Sequence, residues 1–261
     1  MFRPFSNDID LRGCRVLITG AARGIGAALA DRLHQRGAKV ALVGLEPERL
    51  AEVAARCDDA PWAVCDVGDR HQVDAAVAEM VDRLGGLDVV VANAGIAAQL
   101  PIVDGDPAIM EATVRVILLG AYSASKAGVE ALGNTLRIEL APTGATAGVA
   151  YFAELDTDMT SRGFGTEAAT ALTGGGSLSG TAPLEVGIDA LERGITRRSR
   201  RIVAPWWVAA VLPTRMVTGR FVELYARRNL VEALRVARGE SVELTTPQPG
   251  MDTKVGGGVT P

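Results

Sequence analysis

The chain has 261 residues, of which 48% are hydrophobic and 4% aromatic, and its formal net charge is −4. Scarce aromatics and 30 glycines favour an α/β domain over a β-sandwich, and the slightly acidic balance gives no reason to expect nucleic-acid binding. Three cysteines are too few for a disulfide framework, and the cysteines and two histidines lack the spacing of a metal site.

The first 95 residues alternate between short apolar runs and amphipathic segments. Strands are predicted at 15–20, 38–44, 61–67 and 87–95, and helices at 24–37, 46–57 and 69–86. Strict alternation implies right-handed crossovers between parallel strands. The sequence therefore predicts a three-layer, doubly wound parallel sheet, the Rossmann fold, in a single domain over residues 1–245.

The alternation of strands and helices ends after Gly95, where a loop and one apolar segment lead directly into a helix that begins at Tyr122. The later segments are a strand within 144–157, a Gly-rich stretch at 162–180, a helix at 183–193, a strand near 200–205, an apolar C-terminal region at about 195–238 and a tail at 246–261. We expect the C-terminal region to be helical and to border the substrate, and the tail to be disordered.

A glycine-rich loop, "TGAARGIG", lies between the first strand and the first helix, from Thr19 to Gly26. Its glycines allow a tight turn and a close approach to a ligand, and the following helix offers free N–H groups to a pyrophosphate. Glycines also serve ordinary turns, but the strand–loop–helix context is the one that dinucleotide binding requires. The loop therefore predicts a dinucleotide site.

Four motifs together resemble the short-chain dehydrogenase/reductase family. They are "TGAARGIG", then "CDV" after the third strand, "NAG" after the fourth and "YSASK" at the start of the later helix. They occur in the family's order and cover most of residues 12–157. The resemblance implies a Rossmann fold, an oxidoreductase activity and a nicotinamide dinucleotide cofactor.

The resemblance also implies which residues bind that cofactor. The glycine loop would hold the pyrophosphate, the "CDV" residues would flank the adenine, the "NAG" residues would line the inner face of the cofactor, and two residues of "AELDT" would bind the carboxamide. By this match the cofactor-binding residues are Thr19, Gly20, Arg23, Gly24, Ile25, Gly26, Asp66, Val67, Asn93, Ala94, Gly95, Tyr122, Lys126, Leu155 and Thr157.

Tyr122 and Lys126 are the catalytic pair that the resemblance implies. Four residues apart on a helix, their side chains lie on one face. Tyr122 would exchange a proton with the substrate oxygen, and the positive charge of Lys126 would lower the phenol's pKa from its usual value near 10. A tyrosine and a lysine at this spacing are also common on any helix surface, and the upstream motifs favour catalysis.

Two residues of the family's usual active site have no counterpart in the sequence. The expected serine would lie near Met110, where there is none, and Ile117 stands where the family has an asparagine. Asn93 and Tyr122 are 29 residues apart, too few for the helix, strand and loops expected between them, since one βαβ unit takes about 30 residues. The interval predicts that a helix–strand unit is missing near 116–117.

The missing unit has two explanations. Either the natural protein carries a segment that this sequence omits, or the deletion is genuine and the chain is a catalytically impaired dinucleotide-binding sensor or scaffold. The rest of the motif set is intact, which favours the first explanation and an NAD(P)-dependent enzyme that interconverts an alcohol and a ketone or aldehyde.

The preferred cofactor depends on the end of the second strand. An acidic residue there binds the ribose 2′-OH and selects NAD, but the position is Gly44, with Glu46 two residues later. Arg23 is able to pair with a 2′-phosphate. The sequence leaves NADP(H) and NAD(H) open and slightly favours NADP(H).

The apolar run at 202–212, which contains Trp206 and Trp207, favours a lipophilic small-molecule substrate. Core packing, a subunit interface and contact with a membrane surface are the alternatives for this stretch. The run is interrupted by Pro205 and is too short to span a bilayer, and no apolar core of signal-peptide length is found. A cytoplasmic protein is expected, and the resemblance implies a homodimer or homotetramer.

Overall fold

A computed structural model gives the fold and describes residues 8–95, 122–163, 180–212, 236, 242–243 and 254–255, without the side chains of 122–127, 161–163, 242–243 and 254–255. The first part of the chain alternates as predicted. Its elements are β1 (Arg15–Thr19), α1 (Gly24–Gln35), β2 (Lys39–Gly44), α2 (Pro47–Arg56), β3 (Trp62–Val64), α3 (Arg70–Leu84) and β4 (Val89–Val91).

The elements after residue 121 are shorter, apart from two helices. They are α4 (Tyr122–Leu140), a 3-10 turn (Ala141–Thr143), β5 (Val149–Phe152), β6 (Glu154–Leu155), α5 (Asp158–Gly163), β7 (Thr181–Ala182), α6 (Leu184–Thr196), β8 (Arg201–Ala204), α7 (Val208–Val211), β9 (Val242–Glu243) and β10 (Lys254–Val255).

The main sheet has four parallel strands in the order β3-β2-β1-β4. Val16 of β1 pairs with Val40 of β2 on one side and with Val89 of β4 on the other. The chain therefore winds outward from β1 to β3 and then reverses to β4, which is the reversal of a doubly wound fold. The predicted Rossmann fold is confirmed.

Helices cover both faces of this sheet. On one face, α3 contributes Met80 and Ala76 to a buried cluster with Leu17 and Val43 from β1 and β2. The alternate strand residues, such as Ile18, are buried on the opposite face, where α1 and α2 contact the strands and each other. Since successive side chains of a strand point to opposite faces, two apolar sets in one strand require helices on both sides.

Capping residues explain where α3 begins and ends. Asp69 precedes the helix, and its carboxylate accepts hydrogen bonds from the backbone N–H groups of His71 (2.9 Å) and Gln72 (3.3 Å). Gly85 follows the helix in the left-handed region, with φ of 74°. An aspartate before the helix and a glycine after it satisfy backbone groups that the helix itself leaves unpaired.

Charged side chains join α6 to α1. Nη1 of Arg32 lies 2.5 Å from Oδ1 of Asp189 and 2.9 Å from Oε2 of Glu192. The hydrogen bonds that Arg32 donates to Asp189 and Glu192 raise the pKa of Arg32, and the bond from Arg32 lowers the pKa of Asp189. These contacts fix the register of α6 against α1, although Asp189 is nearly half exposed and its ion pair is partly screened by solvent.

The main sheet ends at β4 in the part of the chain that the structure describes. Val90 at the middle of β4 is 60% exposed, and β5 pairs with β8 in a separate two-stranded sheet. Residues 116–117, where the sequence predicts a missing unit, lie outside the described residues.

The chain divides into two compact units: residues 1–94, 128–151 and 187–202 form the first, and residues 95–127, 152–186 and 203–261 the second.

The described residues cover only a small part of the two C-terminal segments at 195–238 and 246–261. Within the region at 195–238, predicted to be helical, α7 is a single turn that follows β8, and most of residues 213–238 lie outside the description. Within the tail, predicted to be disordered, Lys254 and Val255 form β10 and pair antiparallel with Glu243 and Val242. The pairing is a backbone ladder of two residues on each strand.

Candidate functional site

The glycine loop after β1 rests on the end of β2. The N–H of Ala21 donates to the carbonyl O of Val43 at 3.1 Å. Gly20 has a φ of +64°, and a Cβ at this position would lie 2.7 Å from the Cα of Ala94. Only glycine allows both this left-handed turn and this close approach. The loop therefore turns tightly at the carboxyl ends of the parallel strands, where ligands of open α/β sheets bind.

Gly26 brings the first turn of α1 against this loop. A Cβ at Gly26 would overlap the carbonyl O of Gly20 and lie 2.7 Å from Nδ2 of Asn93. The first N–H groups of a helix have no partner within it, and the helix dipole favours an anion there. Gly24 and Ile25 are the first two residues of α1, and the binding of a pyrophosphate at this helix start stays a prediction.

Asn93 joins the end of β4 to the glycine loop. Its Nδ2 donates to the carbonyl O of Thr19 at 3.1 Å and to that of Gly20 at 3.2 Å. In return, Oγ1 of Thr19 accepts from the N–H groups of Asn93 and Ala94, both at 3.1 Å. The predicted residues Thr19, Gly20, Asn93 and Ala94 are therefore brought together by hydrogen bonds between segments more than 70 residues apart in the chain.

Asp66 and Val67 follow β3 at the same edge of the sheet. Asp66 is buried, with 5% exposure, and its Oδ1 accepts from the N–H of Gly68 at 2.8 Å. The N–H of Asp66 donates to Oε1 of Gln72 at 3.0 Å. Asp66 thus closes the turn that leads into α3, while Val67 is half-buried beside it.

Arg23 and Glu46 meet across two neighbouring helix starts. Arg23 precedes α1 and Glu46 precedes α2. Nε of Arg23 donates to Oε2 of Glu46 at 2.7 Å, and Nη2 of Arg23 contacts Oε1 of Glu46. Nε of Arg49, which the sequence analysis did not single out, lies 3.6 Å from Oε1 of Glu46. Residues three apart on a helix are neighbours, so the position of Arg49 three residues after Glu46 could have indicated this contact.

Five of the predicted site residues belong to the second compact unit: Gly95, Tyr122, Lys126, Leu155 and Thr157. Tyr122 is the first residue of α4, and Lys126 follows one turn later in the same helix. The helical spacing on which the prediction of a catalytic pair depends is therefore present in the backbone. The positions near Met110 and at Ile117 lie outside the described residues.

Leu155 and Thr157 lie at the turn between β6 and α5. Leu155 is buried, with 4% exposure, and its carbonyl O accepts from Oγ1 of Thr160. Oγ1 of Thr157 lies 3.2 Å from Oγ1 of Thr160 and accepts from the N–H of Thr160 at 3.4 Å. This turn holds the side chain of Thr157 against the first turn of α5.

Metal ligation has no support in the described ranges, since they contain no cluster of three or more His, Cys, Asp or Glu residues. All three cysteines are buried free thiols, and desolvation raises the pKa of Cys57 to about 12. A thiol held protonated in this way is a packing residue and not a nucleophile. Among the helices described, none is long and apolar enough to cross a membrane.

A family model and a related sequence both match this chain to one family. Residues 15–121 match the family model described as short chain dehydrogenase. An uncharacterized oxidoreductase of Mycobacterium tuberculosis is 30% identical over 257 aligned positions, which cover 79% of this chain and 96% of the relative. Because 79% of 261 residues is only about 206, roughly 50 positions of that alignment face no residue of this chain.

Two solved structures share the fold at lower identity. A short chain dehydrogenase from Burkholderia cenocepacia in complex with NADP aligns with a TM-score of 0.64 and 24% identity, over 75% of this chain and 97% of its own. A 3-ketoacyl-(acyl-carrier-protein) reductase from Brucella melitensis complexed with NADH aligns with a TM-score of 0.61 and 21% identity, over 74% and 97%.

Proposed function

The chain belongs to the short-chain dehydrogenase/reductase family, and from this premise we propose that it is an NAD(P)-dependent oxidoreductase. Its reaction interconverts an alcohol and a ketone or aldehyde. The observation that carries the proposal is the glycine loop held between β2 and β4 in front of α1. Tyr122 and Lys126, one turn apart in α4, supply the acid–base chemistry.

The residues at the glycine loop fit a dinucleotide. The left-handed Gly20 and the start of α1 form a cradle for a pyrophosphate, and a side chain at Gly20 or Gly26 would collide with Ala94, Asn93 or the loop backbone and so distort it. Asp66 and Val67 would flank the adenine, and Asn93 would support the loop from the side of β4. The solved relatives described with NADP and with NADH support a nicotinamide dinucleotide as the cofactor of this chain.

The proton chemistry rests on Tyr122 and Lys126. A nicotinamide cofactor, when bound, would supply or accept the hydride at the carbon of the substrate. Reduction also needs a proton at the substrate oxygen, which the phenol of Tyr122 donates, and oxidation returns that proton to the phenolate. An unperturbed phenol has a pKa near 10, and a neighbouring ammonium favours the phenolate. Lys126 is therefore assigned the role of lowering the pKa of Tyr122.

We also propose that a helix–strand unit of the family domain is missing between β4 and α4. Two observations support this: the described sheet ends at β4, and the alignment with the mycobacterial relative leaves about 50 of its 257 positions without a residue in this chain. An unpaired strand edge in a parallel sheet exposes backbone donors and acceptors as well as apolar side chains. The 60% exposure of Val90 agrees with such a loss.

The substrate is proposed to be a lipophilic alcohol, ketone or aldehyde. Trp206, within the apolar run after β8, is 81% exposed, and one structural relative is described as a 3-ketoacyl reductase.

A homodimer or homotetramer is proposed as the assembly. Val129, Leu132 and Leu136 form an exposed apolar row on α4 at spacings of three and four residues, and size-exclusion chromatography with light scattering tests whether a second copy covers it. The cytoplasmic location remains a prediction.

The decisive experiment measures turnover and cofactor binding together. Purified protein is assayed for oxidation of NADH and NADPH with a panel of medium-chain ketones and aldehydes, and dinucleotide binding is measured by calorimetry. Tyr122→Phe should abolish turnover while the glycine loop still binds the dinucleotide, whereas Tyr151→Phe, the same loss of one hydroxyl on β5, should retain turnover. Binding without turnover in the unmodified chain would instead favour the catalytically impaired sensor.

An intact mass decides whether the missing unit exists in the natural protein. If the protein purified from its natural source is heavier than 27.2 kDa by the mass of about 30 residues, it contains the absent segment. A mass that matches the 261 residues means that the deletion is genuine, and turnover is then not expected.

A further inference from the structure

Five arginines lie where α6 ends and β8 begins, in the sequence "RGITRRSRR" at residues 193–201, here called the arginine turn. The arginine turn contains no aspartate or glutamate, so its formal charge is +5. The whole chain has a net charge of −4, which leaves −9 for all the other residues. The protein is therefore an acidic chain that carries a compact, strongly basic segment.

Hydrogen bonds fix the backbone of the arginine turn. The N–H of Ser199 donates back into the last turn of α6 at 2.8 Å. Arg198 has a φ of 52°, and its Nη2 donates to the carbonyl O of Gly144. At the start of β8, the carbonyl O of Arg200 accepts from the N–H of Val149 on β5 at 3.0 Å. A partner that binds the turn therefore does not have to order its backbone first, which lowers the entropic cost of binding.

Four arginines of the turn are exposed: Arg193, Arg197, Arg200 and Arg201. Nη2 of Arg201 lies 3.9 Å from Oε1 of Glu130, and the side chain of Arg201 is still 67% exposed. Arg197 and Arg200 have no acidic partner within the ranges that the structure describes. A cation in the last turn of a helix stabilises the helix dipole, but Arg200 and Arg201 lie beyond the end of α6. Helix stabilisation therefore does not account for these two charges.

The acidic side chains of α6 are occupied by arginines of α1. Arg32 donates to Asp189 at 2.5 Å and to Glu192 at 2.9 Å, and Nε of Arg36 lies 2.6 Å from Oε1 of Glu192. Arg193, at the start of the arginine turn, lowers the pKa of Asp189 less than Arg32 does. The carboxylates of α6 therefore leave the positive charge of the turn largely uncompensated.

The N-terminal segment also contacts the arginine turn. The N–H of Ile9 donates to the carbonyl O of Thr196 at 2.7 Å. Asp10 in this segment is paired with Arg12, whose Nη2 lies 3.0 Å from Oδ2 of Asp10. Residues 1–12 contain two arginines and two aspartates, so this segment has no net side-chain charge and does not neutralise the turn.

We propose that the arginine turn docks the protein on an anionic lipid surface. Guanidinium groups bind phosphate and carboxylate groups through parallel donors, and clusters of about 4–8 basic residues bind acidic phospholipids. The inference goes beyond the proposed function, because it requires neither a dinucleotide nor a substrate. A lipophilic substrate of the class proposed above would partition into the same bilayer, which agrees with this location without being a premise of it.

The charge distribution favours a lipid surface over a nucleic acid. The phosphates of a duplex are fixed along its length, at one charge per about 1.7 Å of helix axis, so a bound duplex extends beyond this short turn and meets the acidic remainder of the protein. Lipid headgroups diffuse laterally and collect around a small basic patch. Because the Debye length is about 8 Å at physiological ionic strength, negative charges of the protein farther than this from the membrane are screened.

Co-sedimentation of the purified full chain with unilamellar vesicles tests this inference in the absence of cofactor. The protein should bind vesicles of about 30% phosphatidylserine in phosphatidylcholine at about 0.1 M salt and should be released at about 1 M salt, where the Debye length falls to about 3 Å. It should not bind vesicles of phosphatidylcholine alone. Arg197→Gln combined with Arg200→Gln should lower the partition coefficient by roughly 10- to 30-fold, since each basic residue near an anionic surface contributes about 5-fold.

Arg70→Gln combined with Arg83→Gln is the matched control. It removes the same two charges from α3, on the face of the sheet opposite α1, at side chains that are 89% and 46% exposed, and it should leave the partition coefficient nearly unchanged. Circular dichroism checks each fold. If the double variant of the arginine turn does not fold, Arg197→Gln and Arg200→Gln are measured singly, each with an expected loss of about 5-fold.

Four outcomes overturn the inference. They are no binding of the unmodified chain to the anionic vesicles, equal binding to neutral vesicles, an equal loss in the α3 control, and binding to a DNA duplex that exceeds binding to vesicles at equal phosphate concentration. Turnover and dinucleotide binding are measured separately in solution without vesicles. Failure of the lipid inference therefore leaves the proposed function standing, and loss of turnover leaves the lipid inference standing.

Discussion

Gly26, in the first turn of α1, is the position where a single added methyl group tests the glycine loop most directly. In a helix interior, alanine is usually more stable than glycine by about 1 kcal/mol. Here a Cβ would overlap the carbonyl O of Gly20 and lie 2.7 Å from Nδ2 of Asn93. A backbone carbonyl cannot rotate away as a flexible side chain can, so the loop or the helix has to move.

The cost of that movement exceeds the gain in helix propensity. Overpacking of a close contact costs about 1–3 kcal/mol, and displacement of Gly20 also breaks the hydrogen bond from Asn93, which is worth about 1 kcal/mol. After the helix gain is subtracted, Gly26→Ala should lower the free energy of unfolding by about 1–3 kcal/mol. For a domain of this size the Tm then falls by about 2–12 °C.

Thermal denaturation and calorimetric titration with NAD⁺ and NADP⁺ measure both consequences. Gly44→Ala is the matched control, because a Cβ at Gly44 meets Leu50 Cδ2 at 3.5 Å and Ala22 Cβ at 3.6 Å, which are ordinary contact distances. The control should melt at or slightly above the unmodified protein. If Gly26→Ala also melts higher and binds the cofactor normally, helix propensity decides the outcome, and the steric reasoning is refuted.

Three further predictions concern contacts elsewhere in the first unit. The hydrogen bond from Arg15 lowers the pKa of Asp88 to about 2. Ionised Asp88 therefore contributes its full stabilisation above pH about 4, and this contribution is lost as the pH falls toward 2. Asp88→Asn should reduce the dependence of the free energy of unfolding on pH in this range, as measured by urea denaturation at a series of pH values. Asn93→Ala, which removes two donors to the glycine loop, should cost about 1–2 kcal/mol in urea denaturation and weaken calorimetric dinucleotide binding. Asp69→Ala, which removes the cap of α3, should lower the free energy of unfolding in the same denaturation without altering dinucleotide binding, and a loss of binding would contradict the division between cap and site.

The alternation of elements in the first 95 residues could be predicted because its signals are local. Apolar runs such as that of β1 and stop signals such as Gly37 after α1 depend on neighbours within a few residues. Right-handed crossovers then leave little freedom in strand order, and the observed order β3-β2-β1-β4 follows. The glycine loop was recognisable for the same reason, since its motif and its strand–helix context are contiguous.

In the described part of the second half, the predicted helices and strands are present, but the pairing of the strands was not predicted. The pairing of β5 with β8 in a sheet of their own joins segments about 50 residues apart, and no local pattern encodes such a pairing. The two-residue strand at Lys254 in the predicted tail is a similar case, since a short ladder depends on the partner strand and not on its own propensity.

The sequence by itself therefore determined the fold class, the family and the position of the glycine loop that we propose to bind a dinucleotide. Only the tertiary structure decided the partners of the polar side chains. Arg23 and Glu46 were separate arguments for two different cofactors until the ends of β1 and β2 placed them in one bidentate pair. In the same way, the fold brings Asn93 within hydrogen-bond distance of the carbonyl O of Gly20, which is 73 residues away in the chain. Hydrogen bonds and ion pairs form between groups that the fold brings within about 3 Å, and that proximity is a property of the assembled sheet and not of sequence spacing.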